Sequence, residues 1–318
     1  MKSIPLGDTG ERVSALCLGT MELGTKVDEP ASMRLLDRYR EAGGRFIDTA
    51  NNYGNWSSGS GWESETVVGR WMRERRNRDE LFLVTKVGAN PPAVGWGLSR
   101  GIITREIDES LSRLGTDRVD LFYAHIDSRP DPLEETLEAF DRLHRQGKIR
   151  HLGCSNYRAW RIEEARSLSR ARGWIPYCCA QLRHTYLRPV HGASFHPQVF
   201  VDDEILDYGR SHAADFLLLG YSTTLGGFYA GRADRPLMRQ YRGPDSDARL
   251  KVLAAVAREA GATPVQVVLA WMLQSSPVIL PLVSASTPEQ LDEDLASLRL
   301  TLDDEQVRRL SAASAVTP

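Results

Sequence analysis

Six polar side chains stand at or just past the ends of successive apolar runs: Asp48 after RFI, Lys86 after LFLVT, His125 after VDLFYA, Ser155 and Asn156 after IRHLGC, and Gln181 after IPYCCA. A carboxylate, an ammonium, an imidazole, a hydroxyl and two amides in one place could hold protons and hydrogen-bond a bound molecule. A tyrosine, Tyr53, follows Asp48 by five residues in RFIDTANNYG, between Asn52 and Gly54. Singly, each has an ordinary reading. Asp48 and Tyr53 could be turn residues at a strand end, Lys86 a surface lysine and His125 a satisfied core histidine. Six such groups at successive strand ends have a simpler common explanation, a shared mouth.

The elements that would build that mouth are legible as short apolar runs rich in β-branched residues, alternating with longer stretches of helical period. Strands are expected at 15–19, 45–49, 81–86, 119–125, 149–155, 175–181, 216–222 and 278–284, and helices at 29–42, 62–76, 102–114, 132–146, 157–171, 201–212, a helical pair over 246–275, and 288–298. Asp131-Pro132, Thr263-Pro264 and Thr287-Pro288 each place a capping residue before a proline suited to the first helical turn. Gly43, Gly115, Gly147, Gly173 and Gly261 fall where helices should end. Near-continuous apolar strands imply a sheet covered on both faces. Eight β/α units without a linker predict an α/β fold of one domain over residues 1–318, a (β/α)8 TIM barrel. A doubly wound open sheet is the runner-up, but no G-x-G-x-x-G fingerprint follows the first strand. IPLGDTGERVSAL reads as an N-terminal β-hairpin under the barrel floor, and DDEQVRRLSAAS as an extra C-terminal helix.

Composition excludes more than it selects. The 318 residues carry 40 basic and 42 acidic side chains, so no basic stripe marks a nucleic-acid partner. RWMRERRNRDE at 70–80 interleaves its cations with Glu74, Asp79 and Glu80 and reads as a solvated helix face. VQVVLAWML at 265–273 is far short of the roughly 20 residues that span a bilayer, and Pro5 and Asp8 interrupt any secretory leader. A cytoplasmic protein without a membrane partner is expected. Cys17, Cys154, Cys178 and Cys179 lie in apolar runs without metal-ligand spacing and read as reduced core residues.

GRFIDTANNYG, VTKVG, YAHIDSRPDPLEETLEAFDRLHRQGKIRHLGCSNY and STPEQLDEDLASL, in that order and spacing, resemble the aldo-keto reductase family over residues 2–312. The resemblance implies a barrel that is an NADP-dependent oxidoreductase, reducing carbonyl groups with a nicotinamide cofactor. It also implies a catalytic tetrad of Asp48, Tyr53, Lys86 and His125, in which Tyr53 donates the proton to the developing alkoxide. The chemistry suits those types. A phenol with a pKa near about 10 is a weak acid–base catalyst at neutral pH, and an ammonium roughly 4 Å away favours its anion by about 4 kcal/mol at an effective dielectric of about 20. Lys86 is therefore expected to tune Tyr53, Asp48 to keep Lys86 charged, and His125 to hydrogen-bond the substrate oxygen.

The same resemblance implies a nicotinamide carboxamide against Ser155, Asn156 and Gln181, with its ring on Tyr221. Asp48, Thr20 and Met21 would also meet the cofactor. STTLGGFYAGRADR resembles the family's pyrophosphate loop, with Ser222, Leu225, Gly226 and Gly227 along it and Arg232 adding charge. Ser155-Asn156 also reads as a cap for the helix after it. At the adenosine end stand Ser284, Ser286, Gln290, Glu293 and Asp294, the last where the family more often has Asn. The Lys or Arg that NADPH-preferring members place at the positions of Ser284 or Gln290 is absent, so NADPH is expected and NADH is left open. Hydroxyls of Ser284, Ser286 and Thr287 beside a helix N-terminus could still bind phosphate.

A small carbonyl substrate, an aldehyde, ketone or ketosugar, would be framed by Trp56 and Trp62 in one loop and Trp96 in a second. A third loop, LRHTYLRPVHGASFHPQVFVDDE, is enlarged and carries His184, His191 and His196 without helical metal-ligand spacing, so no metal is expected. Arg183 and His184, next to Gln181, point to a polar or anionic substrate. The tail after the last helix is short, which implies an open mouth. The alternative reading is a regulatory protein resembling the cofactor-binding β subunits of potassium channels, although no partner-binding extension precedes the barrel. Oligomeric state is not legible.

Overall fold

Alternation of side chains along a strand explains the centre of the molecule. In the computed structural model of the protein, which describes residues 1–58, 60–232, 234 and 236–315, eight parallel strands close into a barrel. They are β3 (Cys17–Gly19), β4 (Phe46–Asp48), β5 (Phe82–Val87), β6 (Val119–Ala124), β7 (Ile149–Ser155), β8 (Tyr177–Arg183), β9 (Leu217–Tyr221) and β10 (Ile279–Val283), with β10 returning to β3. Ala233, Arg235 and the last three residues of the tail, within stretches quoted above, lie outside the described residues.

Successive residues point to opposite faces of a strand, so every second position looks into the barrel. Cys17, Phe46, Phe82, Val84, Leu121, Tyr123, Cys179, Leu217, Leu219, Leu280 and Leu282 form that inner cluster. A glycine makes room in it: a Cβ on Gly153 would collide with the Tyr123 ring and come within 2.9 Å of the Cys179 sulfur. The expected hairpin is β1 (Ser3–Pro5) with β2 (Arg12–Ser14), paired Ile4 to Val13, and Leu6 and Val13 join the inner cluster as its floor. All four cysteines are buried free thiols.

The outer faces of the strands pack on the surrounding helices. These are α1 (Glu29–Glu41), the one-turn α2 (Asn55–Ser58), α3 (Glu63–Arg75), α4 (Arg100–Leu114), α5 (Leu133–Arg145), α6 (Ala159–Arg172), α7 (Asp203–Ser211), α8 (Pro244–Glu259), α9 (Pro264–Gln274), α10 (Pro288–Ala296) and α11 (Asp304–Ala312). Thr263 caps α9 in a reciprocal capping box with Gln266, and Thr287 accepts from the Gln290 amide at the start of α10. The five helix-ending glycines all have positive φ.

Two capping expectations are corrected. Asp131 does not cap α5; its Oδ2 accepts from the Leu98 amide at 2.6 Å and from Ser128 Oγ at 2.5 Å, tying the loop after β5 to the loop after β6. Ser155-Asn156 does not cap α6, because β7 runs through Ser155 and α6 starts only at Ala159 with no side-chain cap. The basic stretch at 70–80 is solvated only in part: Asn77 is buried, and Arg78 pairs at 2.9 Å with buried Asp120. Among the described residues no single helix is long and apolar enough to cross a membrane.

Candidate active site

The rows of inward positions that are apolar lower in the barrel turn polar at its upper end. Asp48 continues the row of Phe46, Lys86 that of Phe82 and Val84, His125 that of Leu121 and Tyr123, Gln181 that of Cys179, and Tyr221 that of Leu217 and Leu219. Parallel register sets their height: Gly19 is opposite Asp48, Ser155 opposite Gln181, and Arg183 opposite Tyr221. Tyr53 arrives from the loop rather than from a strand. Its amide bonds Ala50 O at 3.2 Å, and Gly54 beyond it has φ of 113°, with Glu63 occupying the space a Cβ would need. Ser64, at the start of α3, steadies that loop through Thr49 Oγ1 at 2.9 Å and the Thr20 carbonyl at 2.8 Å.

Asp48 and Lys86 form a fully buried ion pair. The ammonium donates to Asp48 Oδ1, to Thr49 O at 2.9 Å and to Tyr53 Oη at 2.8 Å, so all three of its protons are placed. Gln181 Nε2 donates to Asp48 Oδ2 at 2.8 Å and holds the carboxylate from its other side. The proton of Tyr53 itself has only a long contact of 3.4 Å to Asp48 Oδ1. His125 packs edge-on to Tyr53, ring centroids 6.1 Å apart, and its Nδ1 is buried without a hydrogen-bond partner among the described residues.

Burial dominates the electrostatics. It pushes the Tyr53 hydroxyl well above the usual phenol range, and the Asp48 charge adds to the effect. This reverses the expectation that Lys86 draws Tyr53 down towards neutrality; in this cleft Tyr53 is a protonated phenol. Burial also lowers the Lys86 ammonium, opposed by attraction to Asp48. His125 is held well below the ordinary histidine range by burial and then by Lys86, so its imidazole is neutral.

Tyr53, His125 and Gln181 line a cleft of about 900 Å³; Asp48, expected to meet the cofactor, is fully buried, as is Lys86, and does not line it. Of the expected cofactor residues, Met21, Ser155, Asn156, Gln181, Tyr221, Ser222, Gly227, Arg232, Ser284, Ser286, Gln290, Glu293 and Asp294 line it. Thr20 does not: its hydroxyl is buried against Asp48 O at 2.9 Å and Ser64 Oγ at 2.7 Å. Leu225 is turned into the outer core, at φ of 51° within a tight turn in which Gly226 and Gly227 have φ of 67° and 96°. Asn156, also left-handed at φ of 61°, accepts from Tyr221 Oη at 2.7 Å and Val199 N at 3.1 Å, and donates to His125 O at 3.0 Å. Its amide is thus as much a brace between β6, β9 and the enlarged loop as a contact for a ligand. At the far end, Ser286 N donates to Gln290 Oε1 at 2.9 Å, and burial, reinforced by Glu293, pushes the Asp294 carboxyl well above the carboxylate range.

Trp56 and Trp96 stand on the rim, 52% and 60% exposed, and both line the cleft. Trp62 lies outside it, at the entry to α3 with Arg113 5.6 Å from its ring. His184 is also outside. Position 184 points away from the inward row of 181 and 183, and its ring stacks on Trp271 at 5.8 Å; burial lowers it to about 3. That placement follows from strand period alone. Not anticipated from the sequence is Asn90, whose amide oxygen accepts from Gly88 N at 2.9 Å while its nitrogen donates to Gly95 O at 2.9 Å; the enlarged third loop walls the cleft with Phe195–Gln198. Among the described residues no three His, Cys, Asp or Glu side chains gather where they could hold a metal.

The profile of the aldo/keto reductase family matches residues 15–315. The chain is 30% identical to the uncharacterized oxidoreductase YrpG of Bacillus subtilis, covering 96% of this chain and 94% of that one. It is also 30% identical to norsolorinic acid reductase stcV of Emericella nidulans, over 94% of this chain and 77% of the other. Among solved structures, the thermostable aldo-keto reductase Tm1743, crystallised with the inhibitor epalrestat, superposes with a TM-score of 0.76 at 29% identity, covering 98% of this chain and 99% of that one.

Proposed function

Because the chain belongs to the aldo/keto reductase family, oxidoreductases that act on carbonyl compounds, we propose that it reduces an aldehyde, ketone or ketosugar with NADPH, and that Tyr53 is the proton donor. The observation that carries this reading is the asymmetry at Tyr53 Oη. It accepts from a buried ammonium at 2.8 Å, while its own proton has, among the described residues, no closer acceptor than Asp48 at 3.4 Å and can turn towards the cleft.

Ser155, Gln181 and Tyr221 would hold a nicotinamide, and the chemistry it would supply there is the hydride. Cleft volume and donor types suit such a cofactor: the row ends in a hydroxyl, an amide and an aromatic ring, and the two left-handed glycines at 226 and 227 open backbone to a phosphate. Tyr53, kept protonated by burial, gives its proton up only to a stronger base, the oxygen that gains charge as the carbonyl is reduced. The resulting phenolate stays 2.8 Å from the Lys86 ammonium, which Asp48 holds in place and Gln181 steadies in turn. Neutral His125 donates a hydrogen bond to the substrate oxygen without adding a charge to a site that already holds Lys86.

Because His125 is neutral, kcat/KM for carbonyl reduction is expected to be flat from about pH 6 to 8, its protonation limb lying well below the ordinary value of 6.5. A fall in rate centred near that value, lost in His125→Gln, would overturn the neutral-imidazole role.

Preference for NADPH rests on the N-terminus of α10, with Thr287 and Ser286 beside it, and on Arg232, whose closest acid is Asp234 at 3.4 Å. The test is NADPH and NADH oxidation with a panel of aldehydes, ketones and ketosugars. A preference of about tenfold or more for NADPH, equivalent to roughly 1.4 kcal/mol from the 2′-phosphate, is expected. Equal kcat/KM for the two cofactors removes the phosphate contact, and oxidation of neither removes the reading.

A further inference from the structure

The cleft contains a buried cation with no acid beside it among the described residues. Arg183 is the third residue of the inward row Cys179–Gln181–Arg183, so its side chain rises over the same opening as Gln181; it is 7% exposed and lines the cleft. Its backbone is fixed on both sides, donating to Val199 O and accepting from Val201 N at 2.9 Å each. Nε donates to Tyr241 Oη at 3.1 Å, Nη1 to Gln198 Oε1 at 2.9 Å and Nη2 to Met238 Sδ at 3.3 Å, and the guanidinium lies 4.6 Å from the Phe195 ring. Every one of those partners is neutral. Three of five N–H groups are placed, leaving two for a ligand.

The contrast with the other largely buried arginines is direct. Arg78 has Asp120 at 2.9 Å, Arg113 has Glu65 at 2.7 Å and Arg166 has Asp215 at 2.7 Å. Among the described residues no carboxylate comes within ion-pair distance of Arg183. Arg249 also lacks one, but it is packed away from the cleft against two backbone carbonyls and the Tyr186 ring. A charge removed from water and left unpaired is costly, and a partner that arrives with the ligand resolves it.

We propose that Arg183 binds an anionic group of the substrate, so that this enzyme's preferred carbonyl compounds carry a carboxylate or a comparable anion. The inference rests on the reductase reading above. The anion is assigned to the substrate because Phe195 and Gln198, two of the four partners of Arg183, come from the enlarged loop, whose Val199 amide bonds Asn156 beside His125. Its other two partners, Met238 and Tyr241, come from the loop after β9 that also carries Gly226–Gly227 and Arg232, and those groups with the start of α10 are the ones offered to cofactor phosphates.

The test compares 4-carboxybenzaldehyde with its methyl ester, a pair that differs in charge at nearly constant shape. Binding is followed by quenching of tryptophan fluorescence, since Trp56 and Trp96 line the cleft, with NADP⁺ present; turnover is followed by NADPH oxidation. The wild-type protein should bind the acid about tenfold or more tightly than the ester. Arg183→Met should erase that preference by weakening the acid alone, and Arg183→Lys should keep part of it. Acid and ester bound equally by the wild type would overturn the inference without recourse to a variant, as would Arg183→Met weakening both alike. A loss confined to NADPH affinity would also overturn it by assigning the cation to the cofactor. Acid preference without any NADPH oxidation would sink the reductase reading and leave the anion site standing; oxidation without acid preference would do the reverse.

Discussion

Replacement of Tyr53 by Phe is expected to cut kcat for carbonyl reduction by about 10²–10⁴-fold, the usual contribution of a placed general acid, while the dissociation constant for NADPH stays close to the wild-type value. The two readouts separate because the hydroxyl faces the reacting oxygen, whereas the cofactor contacts expected at Ser155, Gln181 and Tyr221 are on other strands. Stability should move little. Lys86 loses one of three acceptors but keeps Asp48 and Thr49 O, so the cost is of the order of 1 kcal/mol. Unchanged turnover in a folded Tyr53→Phe protein would remove Tyr53 from the chemistry. A large loss of NADPH affinity would instead make it a structural residue.

How much of this was legible in the sequence depends on the range of the interactions concerned. Strand positions were within two residues of those observed, because burial on both faces leaves short unbroken apolar runs; α9, with VVLAWML, carries a comparable run and is set apart by its length and its Thr263-Pro264 start. The polar strand ends were legible for the same reason: a carboxylate at 48 or a lysine at 86 breaks such a run where only a mouth could tolerate it. Helix starts were legible where the cap is local, as at Thr263 and Thr287, and misread at Asp131, whose partner Leu98 is 33 residues away. His184 shows a different kind of error. Adjacency to Gln181 suggested the pocket, although strand period places neighbours on opposite faces and sent it to Trp271.

What stayed hidden was assembled across the chain. The guanidinium of Arg183 is placed by Gln198, Met238 and Tyr241, up to 58 residues distant, so the sequence shows a cation but not that acids are missing around it. Burial of Tyr53 was equally invisible, and it reverses the direction expected from Lys86 alone. A pairwise estimate favoured the phenolate; removal of the whole cluster from water favours the phenol. For reduction the second outcome is the more useful one, since the proton must still be on Tyr53 when the carbonyl arrives.

Asp48→Asn should show how the cluster survives burial. The wild-type ammonium of Lys86 is lowered by desolvation and held up by Asp48, its nearest anion. Removing that charge while keeping the shape leaves a lone buried cation, at a cost of about 3–5 kcal/mol, less whatever Lys86 recovers by losing its proton. The sign with pH follows. With the folded-state pKa below an unfolded value near 10.4, the unfolded chain binds more protons between the two, so stability rises with pH across that interval. The deficit of Asp48→Asn relative to wild type is therefore expected to be largest at neutral and lower pH and to shrink towards about pH 10. Lys86→Met, which leaves Asp48 without its counter-charge, has no ammonium to lose its proton and should lack that rise with pH. Reduction by Asp48→Asn should fall by about 10²–10³-fold, because a neutral amine cannot steady the Tyr53 phenolate as the ammonium does. Urea denaturation from pH 5 to 10 reads the slopes. Parallel slopes for the two variants would show that the ion pair does not govern the stability of this cluster, and Asp48 would then be a hydrogen-bonding residue rather than the counter-charge of Lys86.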